Sequence, residues 1–162
     1  MCQKIENKWS NHEQQGFSML ELMVVLAIVA IIAAMSVSFY GRYTIRANRT
    51  DVQKAMVQIG QKLAAYKLTN NDYNTTLSNP AIYGGSAVYP QSGIALYELR
   101  LDTTVAGAWT LTAFPKGSTK QVNNGLLRLN DQGFTCWDNP SGDSANLCIN
   151  GLPTATTTWA GK

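Results

Sequence analysis

The sequence predicts an α+β fold in which a long N-terminal helix, about residues 17–68, packs on a three- to four-stranded antiparallel sheet. Three observations predict it: an unbroken apolar run from Phe17 to Phe39, a helical stripe of apolar residues from Val52 to Tyr66, and short alternating segments from Tyr97 onward. With 162 residues and 45% hydrophobic content, the chain has room for one domain with a real core. Its formal charge of +3 is mild, and removing residues 1–16 leaves it unchanged, because Lys4 and Lys8 offset Glu6 and Glu13. Such a balance gives no argument for nucleic acid.

The apolar run, FSMLELMVVLAIVAIIAAMSVSF, carries a single charge and has no Pro or Gly between Phe17 and Tyr40. It reads as one continuous helix, long enough to cross a bilayer core. A soluble monomer is therefore not expected. Nor is an ordinary secretory signal, whose apolar core precedes its cleavage site, because here the polar residues 1–16 come first. Glu21 is the anomaly, since a carboxylate at the bilayer centre costs roughly 2.5–3.5 kcal/mol on insertion scales. Two readings compensate it. Either Glu21 sits at the membrane edge and reaches headgroups, or it pairs with a free amine, which a cut before Phe17 would create one helical turn away.

Gly16-Phe17-Ser18-Met19-Leu20-Glu21-Leu22 followed by a long apolar run resembles the class III signal of type IV prepilins. The resemblance implies that a membrane-embedded prepilin peptidase cuts between Gly16 and Phe17 and N-methylates Phe17. It further implies that Glu21 neutralises the terminal amine of a neighbouring subunit, an ion pair that gives docking a direction that apolar packing lacks. One departure is that Ser36 and Ser38 stand where major pilins often carry a helix-bending proline; serine hydroxyls can bond back to the preceding turn. Orientation is contested within the sequence. Arg42, Arg46 and Arg49 follow the run while only Lys4 and Lys8 precede it, the reverse of the positive-inside pattern. The cleavage motif and the C-terminal cysteines favour a head outside the cytoplasm.

Beyond the apolar run the helix becomes amphipathic. Val52, Met56, Ile59, Leu63 and Tyr66 recur at three- and four-residue steps, with Arg49, Lys54, Gln58 and Lys62 on other faces. Residues 69–94 are rich in Asn, Thr, Ser, Gly and Pro and read as a long loop, which the resemblance equates with the αβ-loop of pilins. Strand signals follow at Tyr97–Leu101, Trp109–Ala113, Leu127–Leu129 and Phe134–Cys136, separated by turn formers, so an antiparallel meander with one face on the helix and the other in solvent is expected. The tail after Cys148 is loosely ordered in this reading, with Trp159 docking it.

Of the three cysteines, Cys2 lies in the leader with the only histidine, His12, leaving Cys136 and Cys148 either as a disulfide or as two thiols. The resemblance equates residues 136–148 with the D-region, whose terminal disulfide is common in pilins. The chain is thus divided into a leader (1–16), a membrane and assembly half-helix (17–40) and a periplasmic or extracellular head (41–162).

A processed chain would have no histidine, which removes His-based catalysis and His metal sites, and a closed disulfide would remove the thiols as well. Asp131, Asp138 and Asp143 follow no calcium-loop spacing, and no glycine-rich phosphate loop is present. The expectation is a non-enzyme without cofactor or metal. Lys116, Lys120 and Arg128 are scattered cations, so direct DNA binding is not expected. The resemblance implies a structural subunit, a minor pilin of the PilE-type group, working with other pilin subunits, prepilin peptidase and the inner-membrane assembly platform. It would pass from the inner membrane of a Gram-negative bacterium into a surface pilus serving adhesion, twitching motility and DNA uptake. Two alternatives are a type II secretion pseudopilin and a membrane-anchored binding protein that does not polymerise.

Overall fold

The structure, a computed structural model, describes residues 16–138, 148 and 151–159, apart from the side chains of residues 36–39. Expectations for the leader, for the Ser36 and Ser38 side chains and for Asp143 lie outside the described residues. Two compact units meet in the chain at Tyr40 and Gly41.

One helix, α1 (Met19–Asn70), runs through both units. It starts two residues later than the composition suggested because Ser18 caps it: the Leu20 amide donates to Ser18 Oγ at 3.3 Å, and the Leu22 amide to the Ser18 carbonyl at 3.1 Å. It ends two residues later than expected. Asn71 takes a left-handed conformation (φ 63°) and its amide closes on the Lys67 carbonyl at 2.7 Å, a C-terminal stop of the kind Asn tolerates.

In the unit from Gly41 onward, the expected stripe is the core face of α1. Val52, Met56, Ile59 and Leu63 are buried and Tyr66 is partly so. They pack on a five-stranded antiparallel sheet in sequential order: β1 (Val88–Tyr89), β2 (Tyr97–Asp102), β3 (Thr110–Pro115), β4 (Leu126–Asn130) and β5 (Thr135–Asp138). The register puts Leu99, Ala113, Leu127 and Trp137 in one row facing α1. Gly60, costly by itself in a helix, permits close approach there: a Cβ would lie 3.1 Å from the Trp109 ring.

The four expected strands are present, and β1 is an addition from inside the αβ-loop. That loop is a surface segment with anchors of its own. Leu77 and Ile82 plunge into the core, Tyr83 Oη donates to the Val88 carbonyl at 2.8 Å, and Gln91 Nε2 donates to the carbonyls of Tyr83 and Gly84. The outer sheet face departs from the open surface expected. Thr112 and Cys136, which flank Arg128 in register, are buried, and Gly151 lies against the Arg128 guanidinium. Among the described residues, Cys148 and the segment from Gly151 therefore lie over this face.

A buried polar cluster joins helix to sheet beside Ile45. Tyr97 Oη donates to Gln121 Oε1 at 2.8 Å, Asn124 Nδ2 donates to both, and Gln121 Nε2 reaches the Ile45 carbonyl at 3.4 Å. Trp137 Nε1 donates to the Asn124 carbonyl at 2.7 Å, and the Arg49 guanidinium stacks on the Trp137 ring at 3.7 Å. Burial raises the Tyr97 phenol above its usual range, against smaller opposing effects of the Asn124 hydrogen bond and the Arg49 charge. Burial lowers Arg49.

A raised phenol keeps its proton in the folded state after the unfolded chain has lost it, so its contribution is complete below the unfolded value of about 10 and falls as pH rises through the folded one. Tyr83 and Tyr89 shift the same way, chiefly by burial. Urea midpoints should hold steady toward that range and then drop. Tyr97→Phe should cost roughly 0.5–1.5 kcal/mol at neutral pH and make the alkaline drop shallower. An alkaline limb of unchanged slope in Tyr97→Phe would show that the cluster does not carry this dependence.

Candidate functional site

The residues singled out at the N-terminus lie together at the start of α1. Gly16 has open space around its Cα, Phe17 is 79% exposed, and Glu21 occupies the first turn, where a carboxylate is favoured by the helix dipole. From Met19 to Met35 every described side chain is exposed, including Leu20, Met23, Leu26, Ile31 and Ile32. A window of this helix has a mean hydropathy of 2.8 with none of it buried, so it is long and apolar enough to cross a membrane. Each large apolar side chain moved out of water contributes about 1.5–3 kcal/mol. A surface of this kind is stable only when something covers it.

The second cluster is the C-terminal tie. Cys136 on β5 is bonded to Cys148, with Cα atoms 5.2 Å apart and a separation of 12 residues. The tail beyond docks as expected at Trp159, whose Nε1 donates to the Arg128 carbonyl at 3.0 Å, while Thr157 Oγ1 donates to the Thr135 carbonyl at 2.7 Å. Pro153 is buried.

The remaining candidates do not converge. Asp131 edges a cleft of about 300 Å³ lined by Val57, Gly60, Gln61, Trp109 and Leu129, and Asp138 is exposed at the end of β5. Among the described residues no group of three or more His, Cys, Asp or Glu comes together to hold a metal ion. Arg128 is half-buried beneath Gly151, with its Nε lacking a hydrogen-bond partner, whereas Lys116 and Lys120 lie on the β3–β4 loop. Sequence reasoning missed Gln121 and the Arg49–Trp137 stack. Arg49, expected on a face away from the apolar stripe, stands three residues before Val52 and stacks on Trp137.

Comparison with known proteins decides the family. Residues 11–37 match the prokaryotic N-terminal methylation motif, and residues 38–125, more than half of the chain, match the family described as type IV minor pilin ComP, DNA uptake sequence receptor. The chain belongs to the type IV pilin family. It is 43% identical to a type IV major pilin protein PilE of Neisseria gonorrhoeae over 74% of this chain and 68% of that protein. It is also 33% identical to the type II secretion system core protein G of Klebsiella michiganensis, over 49% of this chain and 61% of that one. Among solved structures, the non-core minor pilin PilV of Neisseria meningitidis aligns with a TM-score of 0.48 and 15% identity, covering 65% of this chain and 95% of that one. The chain spans about half to two-thirds of the length of curated relatives such as these. Pilins are structural proteins and not an enzyme family, and they assemble with other pilin subunits.

In this pilin the disulfide anchors an edge strand of four residues and a tail with little apolar content. Closing a loop of this size contributes about 3 kcal/mol through the unfolded state. Reduction, or Cys136→Ser with Cys148→Ser, should lower the denaturant midpoint accordingly and expose Trp137 and Trp159 to fluorescence quenchers. An unchanged midpoint and unchanged quenching would show that the tail is held by its hydrogen bonds alone.

Proposed function

We propose that this pilin is made as a precursor, cut by prepilin peptidase between Gly16 and Phe17, N-methylated at Phe17, and assembled into a type IV pilus as a minor subunit. The observation that carries the reading is the exposed apolar half of α1, joined through one helix to a folded head. Before assembly, residues 17–40 lie in the inner membrane of a Gram-negative cell with the head, residues 41–162, outside the cytoplasm. In the filament, helices of neighbouring subunits replace lipid around the same surface. Glu21 then neutralises the amine of a neighbouring Phe17, which supplies register in an otherwise uniform apolar contact.

Minor status is supported by the match to a minor-pilin family. Adhesion, twitching motility and DNA uptake belong in this reading to the pilus as a whole. The similarity to a type II secretion core protein supports a second reading, a pseudopilin, because that machinery shares the N-terminal signal. The disulfide-tied C-terminus favours the pilus.

Intact mass and N-terminal fragmentation of protein from sheared surface filaments should give methylated Phe17 with Cys136 and Cys148 linked. Protein retained in the membrane with Met1 intact would contradict both processing and assembly. Glu21→Ala should still enter the inner membrane while its recovery in filaments falls at least tenfold. Normal recovery of Glu21→Ala would remove Glu21 from the assembly mechanism.

A further inference from the structure

Arg42 and Arg46 stand where α1 leaves the apolar run, Lys116 and Lys120 lie on the β3–β4 loop that reaches α1 at Ile45, and neither the core nor the assembly mechanism uses these four cations. Arg42 follows the run within one helical turn, and Arg46 lies four residues on, on the same face of α1. Both are exposed, and between them Tyr43 is 72% exposed. The β3–β4 loop reaches this place because Gln121 Nε2 bonds the Ile45 carbonyl. Its neighbours on the loop are the exposed Lys120 and the 47% exposed Val122, with the half-buried Lys116 four residues before Lys120.

Among the described residues no carboxylate forms a salt bridge with Arg42, Arg46, Lys116 or Lys120. Among the described residues, Asp51 is paired with Lys54 at 3.2 Å, Glu98, opposite Phe114, with Arg100 at 2.9 Å, and the exposed Asp138 lies next to Gly125. Arg49 is turned aside onto Trp137. What remains is a set of unpaired cations with an aromatic and an aliphatic side chain protruding among them. This is the composition of a surface that sits at a lipid headgroup layer, with apolar groups entering the acyl boundary and basic groups on phosphates.

We propose that this collar of Arg42, Arg46, Lys116 and Lys120 binds anionic phospholipid headgroups while the pilin is held in the membrane, with Tyr43 and Val122 at the interface. The collar fixes the depth at which the unassembled subunit waits, and its phosphate contacts must be given up when the subunit moves into a filament. The same contacts account for Arg42 and Arg46, two of the three arginines on the side of the apolar run where the positive-inside pattern places few. The proposal rests on the membrane-anchored reading above.

The test uses the full chain reconstituted in phosphatidylcholine vesicles containing either spin-labelled phosphatidylglycerol or spin-labelled phosphatidylcholine. The motionally restricted lipid fraction reports selectivity. One cation engaged at an anionic surface is worth up to about fivefold, so even partial engagement of the collar should make the wild-type protein select phosphatidylglycerol at least severalfold. That preference should collapse in Arg42→Gln/Arg46→Gln, weaken in Lys120→Gln, and fall in about 0.5 M salt, where screening is nearly complete. Equal restriction of both lipids by a fully incorporated wild-type chain would overturn the collar and leave the anchor standing. Failure of the chain to incorporate would overturn the anchor and the collar with it. A duplex DNA oligonucleotide that binds the vesicle-held protein through Arg42 and Arg46, without any lipid preference, would assign these cations to nucleic acid and overturn the proposal.

Discussion

A helix whose first half is apolar on every side cannot be stable in water, and the rest of this molecule is arranged around that constraint. From Met19 to Met35 there is no polar face to turn outward, and none of the described side chains is buried. A membrane satisfies the helix, and so does a bundle of identical helices. Because lipid and neighbouring helices are nearly equivalent as apolar solvents, transfer between them costs little in burial. A single charged group can therefore decide between them. In the proposed assembly Glu21, poorly placed in lipid and well placed beside an amine, is the residue that biases the exchange.

Past Tyr40 the same helix becomes a conventional core element, and the transition is abrupt. Val52 is fully buried, and the side chains before it rely on specific polar contacts instead of bulk packing. Gln121, Tyr97 and Asn124 take up one another's hydrogen-bonding groups and the Ile45 carbonyl, so the helix is held to the sheet where the apolar stripe has not yet begun. Arg49 on Trp137 extends the contact to β5. Buried polar groups of this kind are costly unless satisfied and therefore specify one arrangement. Precise attachment matters here, because any force applied along α1 reaches the head through this junction.

The parts legible in the sequence were those with a period. The stripe from Val52 to Tyr66 and the alternation in Tyr97–Leu101, Trp109–Ala113 and Leu127–Leu129 each name their buried face, and the structure places those faces together. In the fourth strand the alternation pointed to Phe134 and Cys136, whereas Trp137 faces the core and Cys136 the outer side. The N-terminal signal was legible for a different reason: a carboxylate in an apolar run contradicts its surroundings and calls for an explanation. Leu77, Ile82 and β1 escaped because an irregular loop has no repeat from which burial can be read. Gln121 escaped because a glutamine in a polar loop looks solvated until the loop's position against Ile45 is known. The outer sheet face was misjudged because its cover comes from a polar tail in which Trp159 alone signalled docking, and the disulfide together with hydrogen bonds from Thr157 and Trp159 holds that tail near Arg128.

A subunit that polymerises through its helix, as proposed for this pilin, must avoid polymerising through its sheet. Open antiparallel sheets present two rows of unpaired backbone groups, and many heads held side by side would bring such rows within reach of one another. Both edges are blunted in this head. On one side β1 is only two residues long and is followed at once by Pro90, which has no amide hydrogen to offer. On the other side β5 is four residues long, and Thr157 and Trp159 send hydrogen bonds from the tail to the backbone of β5 and β4. The disulfide therefore has a role beyond stability. By holding the tail near β5 it helps cover that edge, while in the proposed assembly copies associate through the exposed helix.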